Sequence, residues 1–439
     1  MIAIRVRRRA LAFWHQADRH LGGLFGDLCL YGIATVFAAV TAYASTLPAH
    51  RAWGAVAVVG YTIATIAVIG QIAVRRVGAA PPLTGAVARS VLTGATWAST
   101  ALVPLIAQCV QRAEGQPDRA QEEVIVIEHG AQRLLDHGSP YLTREAIAAL
   151  PPSEQLLGYL PYQPGMAIFG LPRAVLGAVW WTDARIWFAA VTAVVLGVAI
   201  AILLRALGDS ARKASVVRAA QFATVLPFSP LTLATGGDDV PVLALCLLAL
   251  AFFATGRYGL GGLAIGAGAT LKLLAWLVAV VLLVHAVSRG RQVATRAVPG
   301  VLGLPLLALL PAQLVDADAF VENVVRFPLG HGLVTSPAQS PLPGYLIAQL
   351  VPNGRILAIA LLVGIGALIA VWLLRRPPRT ASAASLICGY GLLAAILLMP
   401  ATRFGYLLYP LAFLAWAPAL RHAMAGARAG REPISSAAL

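Results

Sequence analysis

YGLGGLAIGAGATLKLLAWLVAVVLLVHAVS, residues 258–288, contains Lys272 as its single Lys, Arg, Asp or Glu, and Arg257 and Arg289 flank it. An uncharged run of 18 or more apolar residues is long enough to cross a bilayer. The stretch is therefore either a hairpin with Lys272 at its outer tip or one long helix with a buried lysine. Basic residues collect on the cytoplasmic side of membrane proteins. We favour the hairpin because it keeps both basic ends on that side.

The composition of the whole chain points to the same class of protein. Of its 439 residues, 59% are hydrophobic and 12% are charged, and the mean hydropathy is +0.79. A soluble domain carries about 25% charged residues. This composition excludes a cytosolic enzyme, a disordered protein and a secreted disulfide scaffold. The net charge of +15 comes from short basic blocks between apolar runs, so we predict membrane lipids and no nucleic acid as partners.

The apolar runs predict an all-α fold, a polytopic membrane helix bundle of about twelve spans. The distribution of Lys and Arg places both termini in the cytoplasm and the long polar segments outside a cell membrane. The predicted divisions are a basic cytoplasmic arm (1–26), three N-terminal spans (27–110), an acidic outer loop with a juxtamembrane or re-entrant helix (111–183), central spans (184–315), a second outer loop (316–354), C-terminal spans (355–421) and a cytoplasmic tail (422–439).

The acidic outer loop supplies candidates for a general base. A carboxylate at a membrane interface under apolar cover has a raised pKa, which suits it to accept a proton near neutral pH. Glu123, just beyond the third predicted span, is our candidate, with Glu122 and Glu128 as alternates. For any one of these acids, a solvated loop glutamate is the simpler interpretation.

Basic groups on the same side are candidates for binding a phosphate. A lone lysine at membrane depth costs roughly 2.5–3.5 kcal/mol, and Lys272 would offset that cost by pairing with a lipid phosphate. Arg403 could pair with a phosphate or with an acid of the first outer loop. In the second outer loop, Arg326, His331 and Gln339 could contact phosphate or sugar. For His331, an ordinary ordered loop is the simpler interpretation.

The predicted outer turn TGGDD (235–239) contains two adjacent acids that resemble a metal-binding pair. Asp238 and Asp239 have no further ligand at a fixed spacing, so we prefer a role at the start of the next helix. The four cysteines form no CxxC pair. We therefore predict no metal site and no cofactor, although a divalent metal would be compatible with the chemistry.

Several segments, in order, resemble glycosyltransferase family 87. EEVIVIEHGAQRLLDHGSPYL (122–142) and YLPYQPGMAIFGLPRA (159–174) resemble its first outer loop. TGGDDVPVLALCLLAL (235–250), TLKLLAW (270–276) and SPAQSPLPGYL (336–346) resemble three later segments. This sequence departs from the family pattern at two places. The acid that family members carry in the first outer loop is usually Asp, whereas here it is Glu123. The family's Gly-Gln-x-Asn segment is Gly-Gly-Asp-Asp in this chain.

Members of this family are polyprenyl-phosphate-mannose-dependent mannosyltransferases of the GT-C class, numerous in actinobacteria. The resemblance implies an inverting transfer from a polyprenyl-phosphate sugar to an exoplasmic glycolipid or glycan, with the active site on the outer face. Glu123 would be the base. Lys272, Arg403, Arg326 and His331 would bind the donor phosphate. The positions that would bind sugar or acceptor are Tyr141, Tyr162, Gln163, Asp238 and Gln339.

Two other classes of function fit the sequence. A transporter or flippase for lipid-linked or anionic substrates would use Lys272 as a gate or counter-ion. It would need a path to the cytoplasm, whereas a transferase site would be closed on that side. An assembly protein of the cell envelope would not need the outer acids.

The predicted topology can be tested by cysteine labelling in intact cells. Single cysteines at positions 115–120 and 330–335, in a background without the native cysteines, should react with a membrane-impermeant maleimide. Cysteines at 208–213 should stay unlabelled, because Arg205, Arg212 and Lys213 place that turn inside. Labelling at 208–213 would overturn the topology.

Overall fold

The computed structural model describes residues 18, 20–78, 81–207 and 210–429. Most of the predicted cytoplasmic arm and residues 430–439 of the predicted tail lie outside these residues. Within the described ranges the regular structure is helical, and one isolated β-bridge joins Gln339 to Thr402. The predicted all-α membrane fold is confirmed.

Seven helices in the described residues are long and apolar enough to cross a membrane, and a bent pair would make an eighth span. The seven are Leu24–Ala44, Pro48–Arg76, Ala86–Ala113, Ala184–Ala206, Arg291–Arg326, Gly354–Arg375 and Ala381–Leu398. The bent pair is Lys213–Thr224 and Phe228–Thr235, with 42° between its halves.

The prediction of about twelve spans is not confirmed, because several apolar runs form helices that are too short. These are Asp239–Ala254, Tyr258–Leu271 and Leu273–Ser288. At 1.5 Å per residue, a helix of 16 residues is about 24 Å long, less than the roughly 30 Å of hydrocarbon. The last helix, Leu408–Ala429, carries charged residues and is not among the candidate spans.

The chain breaks at Lys272, as the hairpin interpretation requires. Helix Tyr258–Leu271 ends there, Lys272 is extended (φ −151°, ψ 143°), and helix Leu273–Ser288 begins at the next residue. An uninterrupted helix with a buried lysine is excluded.

The polar segment that we predicted as the second outer loop (316–354) begins at a kink in a helix and is itself helical at first. Helix Arg291–Val321 continues through Asp316, where the backbone leaves helical geometry (φ −160°, ψ 98°) and then resumes it. A π-helical turn follows at Glu322–Arg326. Residues 316–326 are therefore mainly helical. We predicted a loop here because these residues are polar. Polar side chains also occur in helices when they find hydrogen-bonding or ionic partners.

The acidic segment that we predicted to lie outside the membrane contains one long helix, Glu122–His137. Glu128 fixes it to the bundle. The buried Glu128 carboxylate lies 2.7 Å from Arg112 and 3.2 Å from Arg173, and Arg112 also pairs with Asp183 at 2.7 Å. A carboxylate held by two arginines is an anchor.

Glu128→Gln should lower the free energy of unfolding by about 3 kcal/mol, because removing one partner of a buried ion pair leaves the other uncompensated. Thermal unfolding of the detergent-solubilised protein measures the effect. Asp136→Asn, at an exposed position of the same helix, is the matched control. Equal melting temperatures for the two variants would show that Glu128 does not anchor the helix.

Candidate functional site

One cavity of about 890 Å³ gathers charged side chains from distant parts of the chain. Apolar side chains of the first helix and of helix Phe228–Thr235 form one wall, including Phe37, Val40, Phe228 and Leu231. The charged and polar lining includes His50, Gln121, Glu122, Glu123, Asp238, Asp239, Lys272, Gln339 and Arg403. Glu123 and Lys272 thus face the same space.

Lys272 is held by two carboxylates. Its Nζ lies 2.6 Å from Asp238 Oδ2 and 2.5 Å from Asp239 Oδ1. The Tyr409 hydroxyl donates to Asp239 Oδ1 at 2.8 Å. The rings of Tyr162 and Tyr406 lie 5.0 and 5.5 Å from the ammonium group, within cation–π range.

This cluster corrects our interpretation of the GGDD turn. Asp238 stands at the N-cap position of helix Asp239–Ala254, but its side chain makes no capping hydrogen bond. Both carboxylates contact Lys272 instead. Among the described residues, no group of three or more His, Cys, Asp or Glu is arranged to hold a metal ion.

The local backbone explains how the GGDD turn comes close to the break in the chain at Lys272. Gly237 has φ +84°, and a Cβ there would lie 2.4 Å from Phe188, so only glycine fits this tight turn. Across the cavity, the backbone N–H of Gln163 donates to the carbonyl of Leu271 at 3.1 Å. That bond holds the Tyr-x-Pro segment, Tyr162-Gln163-Pro164, against the break at Lys272.

Glu123 forms the second charged group, an ion pair with Arg403 through Oε1. Its Oε2 is buried and has no hydrogen-bond partner among the described residues. Burial raises the pKa of the Glu123 carboxyl above its ordinary value, with Asp238 adding to the rise and Arg403 opposing it. A carboxylate with a raised pKa and an unpaired oxygen is suited to accept a proton.

Neighbouring contacts position both members of this pair. Gln121, just before Glu123, donates its N–H to the Thr235 carbonyl at 3.0 Å. The Thr235 hydroxyl in turn donates to the Gln121 side chain at 2.9 Å. On the other side, the N–H of Ser340 donates to the carbonyl of Thr402 at 2.9 Å, joining the second outer loop to the residue before Arg403.

Four of the predicted ligands do not line the cavity, nor does the alternate base Glu128. Arg326 lies 3.6 Å from Glu322 on its own helical turn, and the His331 carbonyl accepts a bond from Arg144. The Tyr141 hydroxyl donates to the Tyr162 carbonyl at 2.8 Å. Tyr141 and the buried Gln163 therefore act on the cavity only through the Tyr162 segment.

Of the remaining predicted residues, all line the cavity: Glu122, Glu123, Tyr162, Asp238, Lys272, Gln339 and Arg403. Sequence reasoning missed His50, Gln121 and Tyr406. Tyr406 follows Arg403 by three residues in the short 3₁₀ turn Phe404–Leu407, and its closeness to Arg403 in the sequence is the signal that could have been used. His50 lies near the start of a long apolar helix, where no motif marks it.

Comparison with solved structures finds ArnT from Cupriavidus metallidurans. Its apo form is 18% identical and covers 69% of this chain and 54% of the ArnT chain, with a TM-score of 0.42. Its undecaprenyl phosphate complex is 17% identical and covers 76% of this chain and 59% of the ArnT chain, with a TM-score of 0.43. The chain thus spans little more than half the length of ArnT, and at these scores the likeness adds nothing to the assignment.

A search of curated proteins finds no match to this chain. A family model does match. Residues 159–400 fit the description "Glycosyltransferase family 87", and this range includes the Tyr-x-Pro segment, the GGDD turn and Lys272. Because the matched range is more than half of the 439 residues, the chain belongs to glycosyltransferase family 87.

Proposed function

We propose that this membrane protein transfers a sugar from a polyprenyl-phosphate donor to a hydroxyl group of an exoplasmic glycolipid or glycan, with inversion, as an enzyme of GT-C type. One observation carries the proposal: a Glu–Arg pair and a lysine with two aspartates line a single cavity that has an apolar wall. Such a lining fits an amphiphile with a charged head. Family membership favours a transferase over a transporter or an assembly protein.

The apolar wall suits the isoprenoid chain of the donor, and the charged groups suit its phosphate. Arg403 is the principal phosphate ligand in this proposal, with Lys272 second. The Arg403 side chain is 25% exposed, against 10% for Lys272. Arginine has five N–H donors, and Glu123 occupies one end of this group. Two carboxylates already share the charge of Lys272, which leaves it one free N–H.

Binding of the donor changes the partner of Arg403. The phosphate competes with Glu123 for the guanidinium, and Arg403–phosphate pairs are strong because they are charge-assisted. Glu123 then loses its cation and becomes a stronger base. Donor binding therefore activates the base when the reactive anomeric carbon arrives.

The reaction is a single displacement. The acceptor hydroxyl oxygen attacks the anomeric carbon and gives its proton to Glu123. The bond from that carbon to the phosphate oxygen breaks, and its electron pair leaves with the polyprenyl phosphate, whose developing charge Arg403 and Lys272 stabilise. The phosphate already leaves as an anion, so no general acid is needed. The proposed chemistry requires no metal or cofactor.

Further details of the proposal rest on the sequence. The family resemblance favours mannose as the sugar and an actinobacterial type of enzyme. The distribution of Lys and Arg in the sequence favours a cavity on the outer face of the cell membrane and both termini in the cytoplasm. Tyr162, Asp238 and Gln339 line the cavity and are the proposed contacts for sugar or acceptor.

Glu123→Gln should lower kcat by roughly 10²–10⁴-fold, the usual contribution of a general base. The assay is transfer from radiolabelled polyprenyl-phosphate mannose in membranes that contain the variant. Glu122→Gln is the matched control, because Glu122 is an exposed acid that lines the same cavity. Transfer that survives in Glu123→Gln and fails in Glu122→Gln would reassign the base.

The pH profile tests the role of Arg403. The base works when ionised, so kcat/KM should fall as the pH drops through the raised pKa of Glu123. Arg403 lowers that pKa, so Arg403→Gln should move the acidic limb of the kcat/KM profile to higher pH, in addition to weakening donor binding. An acidic limb at the same pH in both proteins would mean that Glu123 is not the titrating base.

A further inference from the structure

The turn RRPPR (375–379) lies far from the proposed active site. It joins helix Gly354–Arg375 to helix Ala381–Leu398, and Arg403 follows the other end of that second helix. Eighteen residues of helix span about 27 Å. The turn and the cavity are therefore near opposite ends of one helix, and anything bound at the turn occupies a separate site.

Two apolar grooves meet at this turn. One, of about 590 Å³, runs between the two helices, and the other, of about 510 Å³, follows helix Gly354–Arg375. They share Ile369, Trp372 and Arg376 in their linings, and the first also includes Arg379. A pair of apolar grooves that converge on arginines matches a molecule with two hydrocarbon chains and one acidic head.

Among the described residues, no acidic side chain pairs with the arginines of the turn. Arg375, Arg376 and Arg379 form no ion pair and no side-chain hydrogen bond in the part of the chain that the structure describes. The next helix starts beside them at Ala381, where the Thr380 hydroxyl accepts from the N–H of Ala383. The positive end of that helix adds to the attraction for an anion.

The turn is also held in place. His285 Nδ1 lies 2.6 Å from the carbonyl oxygen of Pro378, which joins the turn to the end of helix Leu273–Ser288. The adjacent Pro377 and Pro378 fix two φ angles. The arginines therefore project from an ordered turn, and a ligand that binds them does not have to order the backbone as well.

We propose that this turn binds one anionic glycerophospholipid from the surrounding bilayer. Arg376 and Arg379 hold its phosphate and acidic headgroup, and its two acyl chains lie in the two grooves on either side of Trp372. Arginines can lie at this end of the helices simply because basic residues collect on the cytoplasmic side. That role alone would require neither two converging grooves nor a turn held by His285. Basic pockets at the ends of membrane helices are suited to anionic lipid headgroups.

Native mass spectrometry of the full-length protein tests the proposal. The delipidated protein is titrated with phosphatidylglycerol or with phosphatidylcholine of the same chains. One phosphatidylglycerol should bind more tightly than phosphatidylcholine. Arg376→Gln/Arg379→Gln should weaken it about 30-fold, which corresponds to about 1 kcal/mol for each arginine. Ile369→Trp, which fills the grooves without changing charge, should also weaken it.

The matched control is Arg289→Gln/Arg291→Gln, which removes the same charge from another exposed basic turn that lines neither groove. It should leave phosphatidylglycerol binding unchanged. Equal losses in the two double variants, equal binding of the two lipids, or full binding in Ile369→Trp would overturn the proposal. So would a lipid-free dimer that forms through this face.

Discussion

The pairing of Lys272 with two aspartates is the interaction on which the site depends. A lysine in an apolar environment without a partner is costly, and here two carboxylates at 2.5 and 2.6 Å supply more than one counter-charge. The cluster joins the GGDD turn to the break between two short helices, and Tyr409 extends it to the last helix. It therefore fixes the relative positions of the turn, the break and the last helix, and the first two line the cavity.

A second charged pair, Glu123 with Arg403, differs from the first in a way that suits chemistry. Lys272 is nearly surrounded, whereas Arg403 is more exposed. Within the described ranges, Arg403 also retains unused N–H groups, and one oxygen of Glu123 has no partner. We infer a division of labour in which the lysine cluster is mainly a fixed scaffold. The Glu–Arg pair is the part that exchanges partners when the donor phosphate arrives.

Much of this could be predicted from the sequence, because a membrane imposes strong constraints on composition. The apolar runs predicted a helical membrane bundle, and the one lysine in residues 258–288 marked the break. The number of spans could not be obtained, since apolar runs continue through breaks and bends that only packing reveals. The partners of Lys272 stand 33 and 34 residues away, and no local pattern connects them. Likewise, Glu128 and Glu123 look alike in sequence, and only their different arginine partners separate an anchor from a candidate base.

The most direct test of the central claim is a cryo-electron microscopy structure of the protein in a lipid nanodisc with a polyprenyl phosphate added. The account predicts the phosphate in the 890 Å³ cavity, bonded to Arg403 and within reach of Lys272, with Glu123 no longer paired to Arg403. A phosphate bound elsewhere, with the Glu123–Arg403 pair unchanged, would contradict it.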